Sequence, residues 1–129
     1  MRLKTLLFAI AALTSSGWAQ GELHTIVLTG QTAPGAPAGV VFSAFDNALI
    51  SNAGQLSFTS TLSGSGVVTS NDESLWLRNE GAVQLIAREG QQAVGTASGV
   101  TYSIGFAKSN LSIGGRVGFF ATITGNGVT

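Results

Sequence analysis

His24 is the single histidine of this 129-residue chain, and cysteine is absent. Those two counts remove zinc centres built from imidazole and thiolate, which take about four such ligands. A Ser-His-Asp arrangement would have to use His24, which lies just before a strand at the start of the mature chain. No Gly-x-Ser-x-Gly elbow accompanies it, so His24 reads as an exposed side chain rather than a general base. Paired carboxylates can hydrolyse glycosides when held about 5 to 10 Å apart. Asp72, Glu73, Glu80 and Glu89 are carboxylates of the right type, but they flank turns, where charge serves solubility. Oxygen-ligand calcium is conceivable at Asn71, Asp72 and Glu73, although the Asp-x-Asp-x-Asp-Gly spacing is missing. The competing reading of that tripeptide is a polar turn, with Asp72 capping backbone amides. Glycines from Gly90 to Gly99 lack the Gly-Lys-Ser/Thr ending of a phosphate loop and read as punctuation. Trp76 and Tyr102 could stack on sugars. Trp76 faces opposite to its neighbours Leu75 and Leu77, which favours packing on a second buried face. No cofactor is implied and no catalytic set is assigned.

The elements that carry these residues are written twice. His24 to Val68 aligns with Gln84 to Thr129 at an offset of 60 residues, which becomes 61 after an insertion near Gly105. Gly30, Gln31, Ala33, Gly39 and Val40 recur as Gly90, Gln91, Ala93, Gly99 and Val100. Beyond the insertion Phe45, Gly54, Phe58 and Gly64 recur as Phe106, Gly115, Phe119 and Gly125. Self-similarity at a fixed period marks units that bury their apolar faces against neighbours. Unit 1 spans about residues 24–83. Unit 2 spans about 84–129 and stops short of the matching point, so the chain reads as part of something longer or as a truncated product.

Each unit reads as short antiparallel strands between glycine turns. Gln55–Leu62 alternates Leu56, Phe58 and Leu62 with polar residues, and Arg116–Thr124 repeats the pattern. Glu73–Arg78 and Ala82–Arg88 follow, joined by a hairpin turn at Asn79-Glu80-Gly81. Ala48–Ser51 is expected as the inner strand, and Thr25–Thr29 as an outer strand that arrives first in the chain. The prolines of Thr32–Gly39 make that segment a loop. Glycine occurs 18 times, which disfavours any long helix after residue 20. The expected fold is all-β, with four-stranded units resembling β-propeller blades in an incomplete ring.

Residues 1–19 have the form of a secretory signal peptide, expected as an N-terminal signal helix ahead of the β-repeat region. Arg2 and Lys4 precede the apolar run Leu6–Leu13, and small residues Gly17 and Ala19 flank Trp18. Cleavage is expected between Ala19 and Gln20, leaving residues 20–129 as the β-repeat region, outside the cell or at its surface. The run is shorter than the roughly 20 apolar residues that span a bilayer, and no longer one follows, so the mature chain is not expected to be membrane-embedded. Without the leader, Arg78, Arg88, Lys108 and Arg116 face a slight excess of acid (Glu22, Asp46, Asp72, Glu73, Glu80, Glu89). A weakly acidic chain without a basic cluster is a poor partner for nucleic acid.

Gly30–Phe45, Ser51–Phe58, Asn71–Trp76 and Leu85–Gly90 resemble the tandem NxxGxxAF-repeat proteins, which are exported bacterial proteins of unknown function. The resemblance covers nearly all of the mature chain. Gly54/Phe58 and Gly115/Phe119 keep the motif's glycine and phenylalanine, whereas Ser51 and Ser112 replace its asparagine, and Ser57 and Gly118 its alanine. It implies a surface or extracellular protein, of choice-of-anchor type, and supplies no catalytic residues. The function expected is a non-enzymatic exported scaffold or binding protein, its partner a cell-surface or extracellular polymer. The alternative is a fragment of an extracellular polysaccharide-active propeller enzyme.

Overall fold

The computed structural model describes residues 8–9 and 23–129. The Ala19–Gln20 cleavage point and most of the leader lie outside the described residues. β1 (Phe8–Ala9) pairs antiparallel with β2 (Leu23–His24). The helix expected for the leader is not among the described residues.

The described chain is all-β. A four-stranded antiparallel sheet is ordered β3 (Val40–Ile50), β4 (Leu56–Gly64), β5 (Glu73–Asn79) and β6 (Ala82–Arg88). A second sheet pairs β7 (Thr101–Leu111) with β8 (Val117–Thr124), and neither sheet closes into a barrel. The expected strands around Phe58, Trp76, Leu85 and Phe119 are present. The two-residue connection Glu80-Gly81 has φ of 50° and 88°, as tight hairpins need to match the strand twist.

Two expectations need correction. The inner strand is not Ala48–Ser51 but the 11-residue β3, which starts directly after the proline loop. Bulges between Phe42 and Ala44 and between Asp46 and Leu49 shift the side-chain alternation, hiding the strand from a period-two search. The same irregularity hides β7, with register shifts after Tyr102, Ile104 and Ala107. Thr25–Thr29 is not a strand; Leu23–His24 before it is paired, and within the segment only Leu28 carries an isolated bridge among the described residues.

Equivalent positions in the two units make equivalent bonds. The amide of Gly30 donates to the Phe42 carbonyl at 2.7 Å, and that of Gly90 to the Tyr102 carbonyl at 2.8 Å. Ala33 and Ala93 likewise donate to Val40 and Val100, at 3.0 and 2.8 Å. The glycine loop is thereby laid along the start of β3 in one unit and of β7 in the other. The aromatic packing matches too. Phe42, Phe45 and Phe58 form a triangle with centroid separations of 5.3, 5.7 and 6.2 Å. Tyr102, Phe106 and Phe119 form another with separations of 5.7, 5.7 and 6.0 Å.

Each triangle is covered by the segment that precedes its glycine loop, which in unit 2 is the end of β6. Ile26 and Val27 pack with the first triangle. Ile86 and Ala87, at the end of β6, pack with the second, joined by Leu75 from β5. Leu75 and Trp76 are both fully buried because β5 is covered on both faces. Trp76 lies under the first triangle, 4.8 Å from Phe42, and Leu75 faces unit 2. The Trp76 indole N–H reaches the hydroxyls of Ser60 and Ser74, each at 2.9 Å. A buried indole donor needs such a partner.

Gly64 (φ 127°) and Gly125 (φ 146°) close the strands after each triangle. A Cβ at Gly64 would collide with the backbone carbonyl of Gly39, whereas one at Gly54 (φ 79°) would meet open space. Gly54→Ala should therefore cost only the left-handed penalty, about 1–2 kcal/mol. Gly64→Ala adds a backbone displacement and should cost roughly 3 kcal/mol or more. Urea denaturation of the two variants measures the difference. Equal losses would contradict the close approach at Gly39.

Candidate functional site

The bulges that interrupt β3 and β7 open a cleft of about 350 Å³ between the two units. Ala44, Phe45, Asp46 and Asn47 come from β3, Thr59 and Thr61 from β4, Glu73 from the start of β5, and Gly105 and Phe106 from β7. Asn47 takes a left-handed φ of 48°, and its amide donates to the Asp46 carboxylate at 2.8 Å. The Thr59 hydroxyl donates to the Asp46 carbonyl at 3.1 Å and accepts from the Asn47 side-chain amide at 3.5 Å. Across the cleft, the Gly105 amide donates to the Glu73 carboxylate at 3.0 Å.

Gly105 is where the repeat offset changes from 60 to 61. The extra residue is accommodated as a bulge with φ 61°, and its amide is held by the neighbouring unit. Both cleft carboxylates thus accept backbone N–H groups, and among the described residues no basic side chain lines the cleft. The arrangement offers acceptors, hydroxyls and an aromatic floor, suited to holding a hydroxyl-rich or cationic group. It places no nucleophile beside a base.

Of the calcium candidates, Asn71 and Asp72 lie just before β5 and Glu73 is its first residue. Among the described residues no group of three His, Cys, Asp or Glu side chains could hold a metal ion. Asn71 spends its side-chain oxygen on the Val68 amide at 2.8 Å and donates to the Gly66 carbonyl at 3.0 Å. Arg88 donates through Nε to the Asn71 carbonyl at 2.7 Å. Asn71, rather than Asp72, is the turn cap. Asp72 contributes its carbonyl, which accepts the Leu62 amide at 2.7 Å.

The other singled-out residues are structural. Gly54 and Gly115 take φ of 79° and 71° in turns that close on Ser51 and Ser112. Phe58, Phe119 and Trp76 belong to the aromatic packing. Tyr102 is a triangle member whose hydroxyl accepts the Val94 amide at 3.3 Å, so it is not a free stacking platform. His24 is exposed in β2. Asp46, Asn47, Thr59, Thr61 and Gly105 were not anticipated as a group. The insertion at Gly105 was the one signal in the sequence that pointed to this place.

Glu89 is the acid whose ionisation the fold perturbs most clearly. It is 5% exposed, and its Oε2 lacks a hydrogen-bond partner. Burial raises its pKa above the ordinary value of 4.5, and the nearby charges of Glu73 and Asp72 push the same way. A carboxyl raised on folding favours the protonated native state, so its cost is absent below the ordinary value. Stability then falls as pH climbs from 4.5 to the folded-state pKa. Glu89→Gln should accordingly be more stable than the parent at neutral pH, with the advantage vanishing near pH 4 (roughly, from the ordinary glutamate range). Thermal melts across that range provide the check, and a variant less stable at neutral pH would contradict the assignment.

No curated protein and no solved structure matches the chain. A family of unknown function (DUF7453) matches residues 11–129, and the chain belongs to that family.

Proposed function

We propose that this chain is an exported, non-enzymatic β-repeat protein, a propeller-like scaffold or binding module at the cell surface or outside the cell. The observation that carries the reading is the pairing of bonds between Gly30–Val40 and Gly90–Val100, with matched aromatic triangles beneath. A glycine loop laid along β3 in one unit and along β7 in the other supports reading the units as blade-like repeats. The basic start and apolar run of residues 1–19 support export. The resemblance to NxxGxxAF repeats supports a surface location. An extracellular polymer remains the partner this reading favours, because the cleft presents Asp46, Asn47, Thr59 and Thr61 rather than a basic surface.

A polysaccharide-active enzyme is the second reading, and among the described residues Asp46 with Glu73 is the carboxylate pair in the cleft that could serve it. Both are engaged by backbone amides, which supports a structural role.

Expression of the chain with its leader in a bacterial host tests the proposal. The product should appear outside the cytoplasm beginning at Gln20, and Leu7→Arg with Ile10→Arg should retain it inside. Equal cytoplasmic retention of both forms would overturn export. Release of reducing ends from extracellular glycans, lost in Asp46→Asn, would overturn the non-enzymatic reading.

A further inference from the structure

β4 and β8 occupy the same place in their units, yet their outer edges differ. Phe42 pairs with Leu62 in the first sheet as Tyr102 pairs with Ile123 in the second. The outer edge of β4 is occupied by β5, with Phe58 opposite Trp76 and Ser60 opposite Ser74. Among the described residues β8 has one neighbour, β7. The consequence is visible in the side chains: Leu62 is 2% exposed and its counterpart Ile123 is 38% exposed. Phe58 is buried, whereas Phe119 is half-buried. In unit 1 the Trp76 ring fills the flank of the triangle, 4.8 Å from Phe42 and 6.4 Å from Phe58.

We infer that the outer edge of β8 binds a β-hairpin of the Glu73–Arg88 type, pairing antiparallel with its tryptophan opposite Phe119. The occupant is specified by the one seated on β4. It is an extended segment reading small polar, aliphatic, tryptophan, aliphatic, backed by a second strand. Main-chain hydrogen bonds to the edge supply affinity, and pockets for alternate side chains supply selectivity. The tryptophan slots beside Tyr102 and Phe119, the equivalents of Phe42 and Phe58. Ala121 stands where unit 1 has Ser60, so the incoming indole N–H uses the hydroxyl carried by its own hairpin, as Trp76 uses Ser74 at 2.9 Å. The aliphatic neighbours continue the surface on which Phe120 is 70% exposed. An uncovered edge with apolar residues along it is also the feature most prone to unplanned pairing, which a bound hairpin suppresses.

This inference rests on the equivalence of the two units proposed above, but not on export, and the export assay does not bear on it. The test adds a synthetic peptide with the sequence of residues 73–88 to the 129-residue chain and follows residue-resolved hydrogen exchange. Saturating peptide should slow exchange at Val117, Phe119 and Ala121 at least tenfold. The peptide carrying Trp76→Ala should bind at least tenfold more weakly, and a scrambled peptide should give no protection. Three results would each overturn the inference: no protection of β8, equal binding by the alanine and parent peptides, or exchange of the peptide for the native hairpin at β4 without protection of β8. If Gly30 and Gly90 also exchanged with unrelated protection, the equivalence of the units would fail with it. Matched protection there, with β8 unprotected, would sink the docking inference alone.

Discussion

Each sheet keeps its aromatic face dry only because a glycine loop turns the chain and lays the preceding segment across it. Ile26 and Val27 cover Phe42, Phe45 and Phe58, and Ile86 and Ala87 cover Tyr102, Phe106 and Phe119. The loop does this with φ values near 80° at Gly30, Gly35 and Gly39, repeated at Gly90, Gly95 and Gly99. Side-chain-bearing residues would resist that path at every one of these points. The glycine content that weakens isolated strands is thus what permits face-to-face stacking. Without cysteine, this burial rather than a covalent staple is the source of stability.

Covering one sheet with the strand end of another has a consequence for function. The contact surface between units is not flat, because bulges in β3 and β7 separate the strands locally and leave the cleft around Asp46 and Glu73. The polar groups there are satisfied largely by backbone amides, so the cleft is rigid in its walls and weak in reactive chemistry. Glu73 serves both ends of this arrangement, starting β5 and holding the Gly105 bulge of the next unit.

The strands with unbroken alternation were legible in the sequence. Leu56, Phe58 and Leu62 specify β4, and the Glu80-Gly81 turn specifies the hairpin between β5 and β6. β3 and β7 were hidden, since a bulge moves every later side chain to the opposite face and destroys the periodic signal. Thr25–Thr29 looked like a strand because it shares its pattern with the end of β6. What the pattern encodes there is the cover for an aromatic triangle, which Ile26 and Val27 supply without ladder pairing. The cleft was legible only as an irregularity, the shift in offset at Gly105. Its lining depends on which strands become neighbours across units. Burial of Glu89 is likewise a tertiary outcome, invisible beside Arg88 in the linear chain.

The account stands or falls on whether the two sheets stabilise one another through their shared face. Leu75, fully buried, is the unit 1 residue that packs with Phe106 and the second triangle. Native-state hydrogen exchange on Leu75→Ala reads this directly. Amides of β7 and β8 should lose protection at least tenfold, while the turn at Glu80-Gly81 keeps its rates. Unchanged protection across β7 and β8 would mean that the second sheet holds together by itself, contrary to everything argued from the packing.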